Sequence, residues 1–130
     1  MVGAAEIIDL EALRRLFRAI GENPEDMRDI FTSFAEDSPE LFETMLAAEE
    51  GHDWPALKRA AHSLKGAARD FGAHEMADIC ASLEGDAKEG LVAGVNERIC
   101  AARDAFGTAV AALETLLNSN ELFPDDAREP

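Results

Sequence analysis

The sequence has no tyrosine, one tryptophan and only two cysteines in 130 residues. Residues with β-branched side chains are few, while alanine, leucine and glutamate dominate, so the composition predicts an all-α protein. Cys80 and Cys100 form no CxxC motif and have no metal-ligand spacing. This excludes a disulfide framework, and we expect both to be reduced, partly buried helix residues.

Cations are also scarce: the sequence has 12 Lys and Arg and 27 Asp and Glu, which gives a formal net charge of −15. That charge disfavours nucleic acid and anionic membranes as partners, and it favours a monomer. No apolar stretch approaches the roughly 20 residues of a membrane span. The start of the chain lacks a basic region followed by an apolar run, so we expect no signal peptide and a cytoplasmic location.

Apolar residues recur at helical spacing along most of the chain, which has the length of a single domain, 1–130. The first helix is predicted to follow Asp9 as its N-cap and to end at Gly21. The second is predicted over 24–50, kinked at Pro39, because its apolar face keeps its phase there. The alternative is a break, with Ser38 capping a new helix.

Three more helices are predicted, and the helical spacing of apolar residues ends after Asn118. Short connections imply an antiparallel four-helix bundle of the longer helices, over about 9–117, with the short N-terminal helix covering one end. The polar residues 118–130 are predicted to be a loose tail. The first of these helices is expected over 53–71 and is ended by Gly72. The next is expected to open at His74 and to stop near Gly90, and the last carries apolar residues from Leu91 to Leu117.

The third helix has an apolar face and an opposite, basic face. His62, Lys65 and Gly66 project away from the apolar face at about 100° per residue. From Asp53 to Gly72 the chain has four cations and two acids, unlike the acidic remainder. A basic stripe on an acidic protein indicates an anionic ligand or partner. The other cations of this stripe are Lys58, Arg59 and Arg69, for which a merely solvated helix face is an equal alternative.

The chemistry of this face suits a phosphoryl group. A neutral imidazole nitrogen is a good nucleophile toward phosphorus, and a cation one turn away stabilises the charge of the transferring group. Lys65 supplies that cation, and Gly66 leaves space for a partner beside His62. His52 and His74 are expected to be turn or capping residues, and the three histidines form no metal template.

The stretch from His62 to Gly72, HSLKGAARDFG, resembles the H-x-x-K-G-x5-G signature of histidine-containing phosphotransfer (HPt) domains. The likeness extends over about Asp9 to Leu117, most of the chain. It implies a four-helix bundle that accepts a phosphoryl group from a receiver-domain aspartate and passes it to another receiver. By position, His62 matches the phosphorylated histidine and Lys65 the assisting lysine. Gly66 matches the small residue that lets the receiver dock, and Gly72 the closing glycine.

The resemblance also suggests roles outside the signature. Glu84 on the adjacent helix is a candidate to orient the imidazole, the alternative being a solvated glutamate. Ile7 or Ile8 is a candidate to dock the receiver's first helix. Arg69 and Asp70 depart from the small or apolar residues common in the family, and we expect them to tune partner choice.

The leading hypothesis is therefore a phosphorelay intermediate in two-component signal transduction. Its partners would be receiver domains of a hybrid sensor histidine kinase and of a response regulator. No cofactor is expected, since Mg²⁺ would belong to the partner receiver, and no ATP-dependent kinase activity is expected because the chain has no P-loop. The alternative is a non-catalytic helical bundle that binds receivers or a kinase and regulates them.

Overall fold

The computed structural model describes residues 3–90 and 93–119, and their secondary structure is entirely helical. The predicted all-α fold class is confirmed. Leu91, which the sequence assigned to the last helix, and residues 120–130 of the predicted tail lie outside the described residues. The helices are α1 (Ala4–Ile7), α2 (Leu10–Ala19), α3 (Pro24–Glu50), α4 (Trp54–Asp70), α5 (His74–Glu89) and α6 (Val95–Leu117).

The four long helices form a closed bundle. α3 packs on α4, α4 on α5, α5 on α6, and α6 returns to α3. Short connections make successive helices antiparallel, as the sequence predicts. α2 is the predicted helix after Asp9 and packs on α4, whereas α1 was not predicted and packs on α6.

Side-chain caps fix where three helices begin. The Asp9 carboxylate accepts from the backbone N–H groups of Glu11 and Ala12, at 3.0 and 3.3 Å. Asn23 caps α3 in the same way, and Asp53 caps α4 by accepting from the N–H of Ala56 at 3.2 Å. Each cap satisfies donors that a helix start leaves unpaired, so these starts follow from local sequence.

α3 continues through Pro39 without a break. Ser38 is 3% exposed inside this helix, so the alternative in which it caps a new helix is wrong. The physical reason is packing on both sides of the proline: Phe34 and Phe42 are both buried in the same core. Burial of two aromatic side chains outweighs the roughly 3 kcal/mol that a proline costs in a helix interior.

Aromatic rings join α3, α6 and the end of α4 in the core. Phe34 stacks on Phe71 with ring centroids 4.8 Å apart, and it meets Phe106 edge-on at 5.4 Å. Leu57 and Leu64 of α4 are fully buried in the same core. These contacts hold one face of α4 inside the bundle and therefore turn the opposite face to solvent.

Gly72 joins the end of α4 to the start of α2. Its φ is +76°, and its carbonyl accepts from the N–H of Asp9 at 3.0 Å. A Cβ at this position would lie 2.6 Å from the Asp9 carbonyl oxygen, which is backbone and cannot swing away. Glycine is required here both by the left-handed backbone and by the close approach of a second chain segment.

We expect Gly72→Ala to destabilise the bundle by about 2–4 kcal/mol, from left-handed strain plus displacement of the Asp9 backbone. The matched control is Gly90→Ala, since Gly90 has a φ of +73° and open space around its Cβ position. The control should lose only the strain, about 1 kcal/mol. Urea unfolding of both variants measures the difference, and equal losses would show that the Asp9 contact is unimportant.

Asp9 also makes a tertiary contact that the sequence analysis missed. His74 Nε2 lies 2.8 Å from Asp9 Oδ2, across 65 residues of sequence. The expected position of His74 at a helix start is confirmed, and its partner closes the junction of α2, α4 and α5. The hydrogen bond from His74, and then the one from the Ala12 N–H, lower the pKa of the Asp9 carboxyl.

This lowered pKa predicts a pH dependence of stability. A carboxyl whose pKa is lower in the folded state stabilises at neutral pH, and that contribution disappears as the pH falls through the folded pKa. Asp9→Asn keeps a capping side chain but removes the charge. We expect it to lower the urea midpoint at pH 7 and to match wild type near pH 2. Asp53→Asn, at another N-cap, is the control; an equal, pH-independent loss in both would contradict the prediction.

Candidate functional site

His62 lies in the middle of α4 on its outward face. Its side chain is 66% exposed, whereas Ala61 and Leu64 on the inward face are 0% exposed. The helical projection of the sequence thus places this histidine correctly. An imidazole in this position is open to a large partner while its backbone is held by the core.

Glu84 of α5 contacts both His62 and Lys65. Its Oε2 lies 2.8 Å from His62 Nδ1, and its Oε1 accepts from Lys65 Nζ at 2.5 Å. The α4–α5 hairpin explains this meeting, because His62 and Glu84 stand at similar distances before and after Gly72. In an antiparallel pair such residues come side by side.

The hydrogen bonds of this cluster select the tautomer of the neutral imidazole. The hydrogen bond from Lys65, ahead of that from His62, lowers the pKa of Glu84, so the carboxylate is ionised at neutral pH. An ionised carboxylate only accepts hydrogen bonds. Nδ1 of a neutral His62 therefore carries the proton, and Nε2 is left with the lone pair.

Lys65 lies differently from the sequence expectation. The projection placed it on the solvent side, but its side chain is only 18% exposed. The reason is the neighbouring helix: Lys65 lies at the α4–α5 border, where Glu84 attracts its ammonium group. Lys65 is thus a partly buried cation beside the imidazole.

An open cleft of about 570 Å³ adjoins His62. Two of the predicted docking cations, Lys58 and Arg59, line it, and both are exposed. Pro55 and Ser63 also line it and were not singled out from the sequence, although both belong to the same helix face. Arg69 is exposed farther along α4 and is not among the lining residues, which are Pro55, Lys58, Arg59, His62, Ser63 and Glu84.

Gly66 lies one turn after His62 on the exposed surface of α4. A Cβ built there would meet nothing within 4 Å outside its own helix. Its φ is not in the left-handed region, so neither backbone conformation nor internal packing requires glycine. Glycine costs a helix interior about 1 kcal/mol relative to alanine, and nothing inside the described chain repays that cost.

Of the two isoleucines considered for docking, the structure buries one. Ile8 is 1% exposed and belongs to the core, so the expectation that it could dock a receiver is wrong. Ile7 is half-buried against that core. The unpredicted helix α1 accounts for both, because it folds onto α6 and buries the apolar start of the chain. Both side chains line a separate cavity of about 520 Å³ rather than the cleft at His62.

His52 and the two cysteines lie outside the cluster around His62. His52 lies in the turn before α4, as predicted, with its ring edge-on to Trp54 at 5.5 Å. Both cysteines are free, as expected, and burial raises the pKa of the Cys80 thiol to about 12. In residues 3–90 and 93–119 no cluster of three His, Cys, Asp or Glu is placed to hold a metal ion. No helix in these ranges is long and apolar enough to span a membrane.

Comparison with known proteins identifies the family. The model of the Hpt domain matches residues 29–119, which include α4 and Glu84. Among solved structures, the chain is similar to histidine-containing phosphotransfer protein B (HptB) from Pseudomonas aeruginosa PAO1. The two are 26% identical, with a TM-score of 0.78 over 87% of this chain and 96% of that one. A search of curated proteins gives no match.

The range matched by the family model includes the residues of this cluster. The matched region contains the exposed histidine and the carboxylate and ammonium groups beside it. Hpt domains carry phosphoryl groups on histidine and interact with receiver domains, and they are not autonomous kinases. The chain therefore belongs to the Hpt domain family, whose members act in histidine phosphotransfer of two-component signalling.

Proposed function

We propose that this protein is a phosphorelay intermediate. His62 accepts a phosphoryl group from the aspartate of one receiver domain and donates it to the aspartate of another. The observation that carries the proposal is the bridge by Glu84, which binds Nδ1 of the exposed His62 and the ammonium of Lys65. This bridge leaves Nε2 as the nucleophile on a face that a partner can reach.

The transfer conserves atoms and charge. The Nε2 lone pair attacks the phosphorus of the aspartyl phosphate in line, and an N–P bond forms. The bond between phosphorus and the aspartate oxygen breaks, and its electron pair leaves with the carboxylate. The Nδ1 proton stays on the ring, held by Glu84. In the second step a carboxylate oxygen of the next receiver attacks phosphorus and the N–P bond breaks.

Neighbouring residues have separate roles in this proposal. Lys65 stabilises the negative charge that accumulates near His62, since its ammonium has donors to share between Glu84 and a phosphoryl oxygen. Gly66 lets the partner approach the imidazole. Lys58 and Arg59 contact the partner from the cleft. The chain itself uses no cofactor, and the Mg²⁺ that assists the chemistry is bound by the receiver.

The direct test is to incubate the protein with purified receivers carrying a labelled aspartyl phosphate. We expect acid-labile, base-stable label on this protein and its loss when a second receiver is added. Binding to receivers without any label would contradict the proposal and favour a non-catalytic binding module. Incubation with ATP alone should give no label, and label appearing there would contradict the role of a passive carrier.

The role of Glu84 gives a further prediction. Glu84→Ala removes the acceptor of the Nδ1 proton, so we expect transfer to slow roughly ten- to hundredfold. Glu84→Gln retains an acceptor oxygen and should recover much of that rate. Nitrogen NMR of His62 should show the Nδ1–H tautomer in wild type and a mixture in Glu84→Ala. A slow variant with an unchanged tautomer would show that Glu84 acts in another way.

A further inference from the structure

The chain leaves the bundle beside the turn that joins α2 to α3. The Arg28 guanidinium donates to the Leu117 carbonyl at 3.2 Å and to Asn118 Oδ1 at 2.8 Å, which ties the end of α6 to α3. Arg28 lies about one turn after Pro24, where α3 begins, and α2 ends at Ala19 shortly before that start. The end of α6 therefore lies close to the C-terminal end of α2.

Residues 120–130 are acidic and contain one apolar pair. Their sequence is NELFPDDAREP, with four carboxylic side chains and one arginine. The apolar pair, Leu122 and Phe123, comes shortly before Asp125 and Asp126. Seven extended residues reach up to about 23 Å, whereas α2 with its ten residues is about 15 Å long. The part of this segment up to Asp126 is therefore long enough to lie along α2.

One side of α2 has the chemistry that matches this segment. The helix carries three arginines and one glutamate. At about 100° per residue, Arg14 and Arg18 lie on the same side, and Leu10 and Phe17 border Arg14 on its apolar side. Both arginines are exposed, Leu10 is half-buried, and Phe17 belongs to the core. We call these four residues the α2 edge, in which cations lie beside an apolar border.

Two other surfaces fit this segment less well. The cavity of about 520 Å³ is lined by Glu6 and Glu75, whose carboxylates repel an acidic segment. The cleft at His62 is basic, but it extends along α4 away from the end of that helix that meets α2. Its residue Pro55 lies about 22 Å from Asp70 along α4. The α2 edge combines the matching charge with a position next to the end of α6.

We propose that residues 120–126 bind along the α2 edge as a strap that holds α2 on the bundle. The apolar pair of this segment packs on the apolar border of the edge, and its two aspartates pair with the two arginines. A ten-residue helix is too short to be stable alone and depends on tertiary contacts. Exposed ion pairs are individually weak, but the covalent link makes this contact intramolecular, so weak pairs suffice. The strap does not depend on phosphotransfer.

The test measures hydrogen exchange of the α2 amides in the full chain. Asp125→Lys/Asp126→Lys removes the proposed ion pairs, and at low salt we expect the α2 amides to exchange roughly three- to tenfold faster. The difference should shrink as salt increases. Adding Arg14→Glu/Arg18→Glu reverses the charges on both sides and should restore most of the protection. The double-mutant cycle separates this coupling from any other contact of the two arginines.

The matched control is Glu36→Lys/Glu40→Lys, which changes the net charge equally at exposed positions of α3 and should leave α2 exchange near wild type. Three results would overturn the inference. Unchanged α2 exchange in the variant of residues 125 and 126 would show that the segment does not bind there. Equal acceleration in the α3 control would indicate net charge alone. Protection of α2 in wild type that rises with protein concentration would assign the α2 edge to a second copy of the chain.

Discussion

His62→Ala is expected to abolish labelling by phosphorylated receivers, a loss of at least about a thousandfold. In the proposed mechanism the imidazole is the group of this protein that bonds to phosphorus, and alanine has no atom to replace Nε2. The side chain is 66% exposed, so its removal creates no core cavity. The variant should therefore remain folded, with helical circular dichroism and a urea midpoint close to wild type.

The control for this experiment is His52→Asn. His52 is another exposed histidine, located in a turn with a φ of +55°, a conformation that asparagine tolerates. We expect this variant to accept label at the wild-type rate. Label that persists in His62→Ala, or disappears in His52→Asn, would show that the phosphorylated residue has been misassigned.

Gly66→Leu is expected to slow transfer roughly ten- to hundredfold while making the free protein more stable. The stability gain follows from replacing a helix-interior glycine with a good helix former, worth about 0.5–1 kcal/mol, at a position with open space. The loss of transfer follows because leucine would occupy the space that the receiver needs beside His62. Displacement of reacting groups by about 1 Å is enough to cost two orders of magnitude.

Gly107→Leu provides the matched control. Gly107 is also an exposed glycine inside a helix, α6, with no atom within 4 Å of its Cβ position. It should gain similar stability and keep the wild-type transfer rate. Stopped-flow transfer and urea unfolding measure the two effects separately. If Gly66→Leu transfers as fast as Gly107→Leu, Gly66 has no role in access.

Local sequence was sufficient for the starts of α2, α3 and α4. Asp9, Asn23 and Asp53 cap helices through contacts within three residues, so no distant part of the chain is needed to predict them. The apolar period predicted the inward face of α4 and hence the exposure of His62. It also predicted one continuous α3. The apolar residues before and after Pro39 lie on the same helix face, which indicates that both parts pack on one core.

Helical periodicity and local capping did not predict the contacts between segments that are distant in the sequence. The hydrogen bond between His74 and Asp9 depends on how α2 packs across the end of α4. The spacing of apolar residues in the sequence gives no information on that packing. The burial of Ile8 depends on α1, a single turn too short to have a detectable period. Gly72 was recognised from the motif, but the clash with Asp9 that explains it requires the tertiary structure.

The sequence alone determined an acidic helical bundle with a histidine and a glycine on the outward face of one helix. Those properties depend on composition and on the 3.6-residue period, both of which are local. Only the tertiary structure decided that Glu84 bridges His62 and Lys65, that Lys65 is partly buried, and that Ile8 belongs to the core. These outcomes depend on which helices are neighbours and on their register. Burial of apolar side chains and hydrogen bonds between helices determine the neighbours and the register.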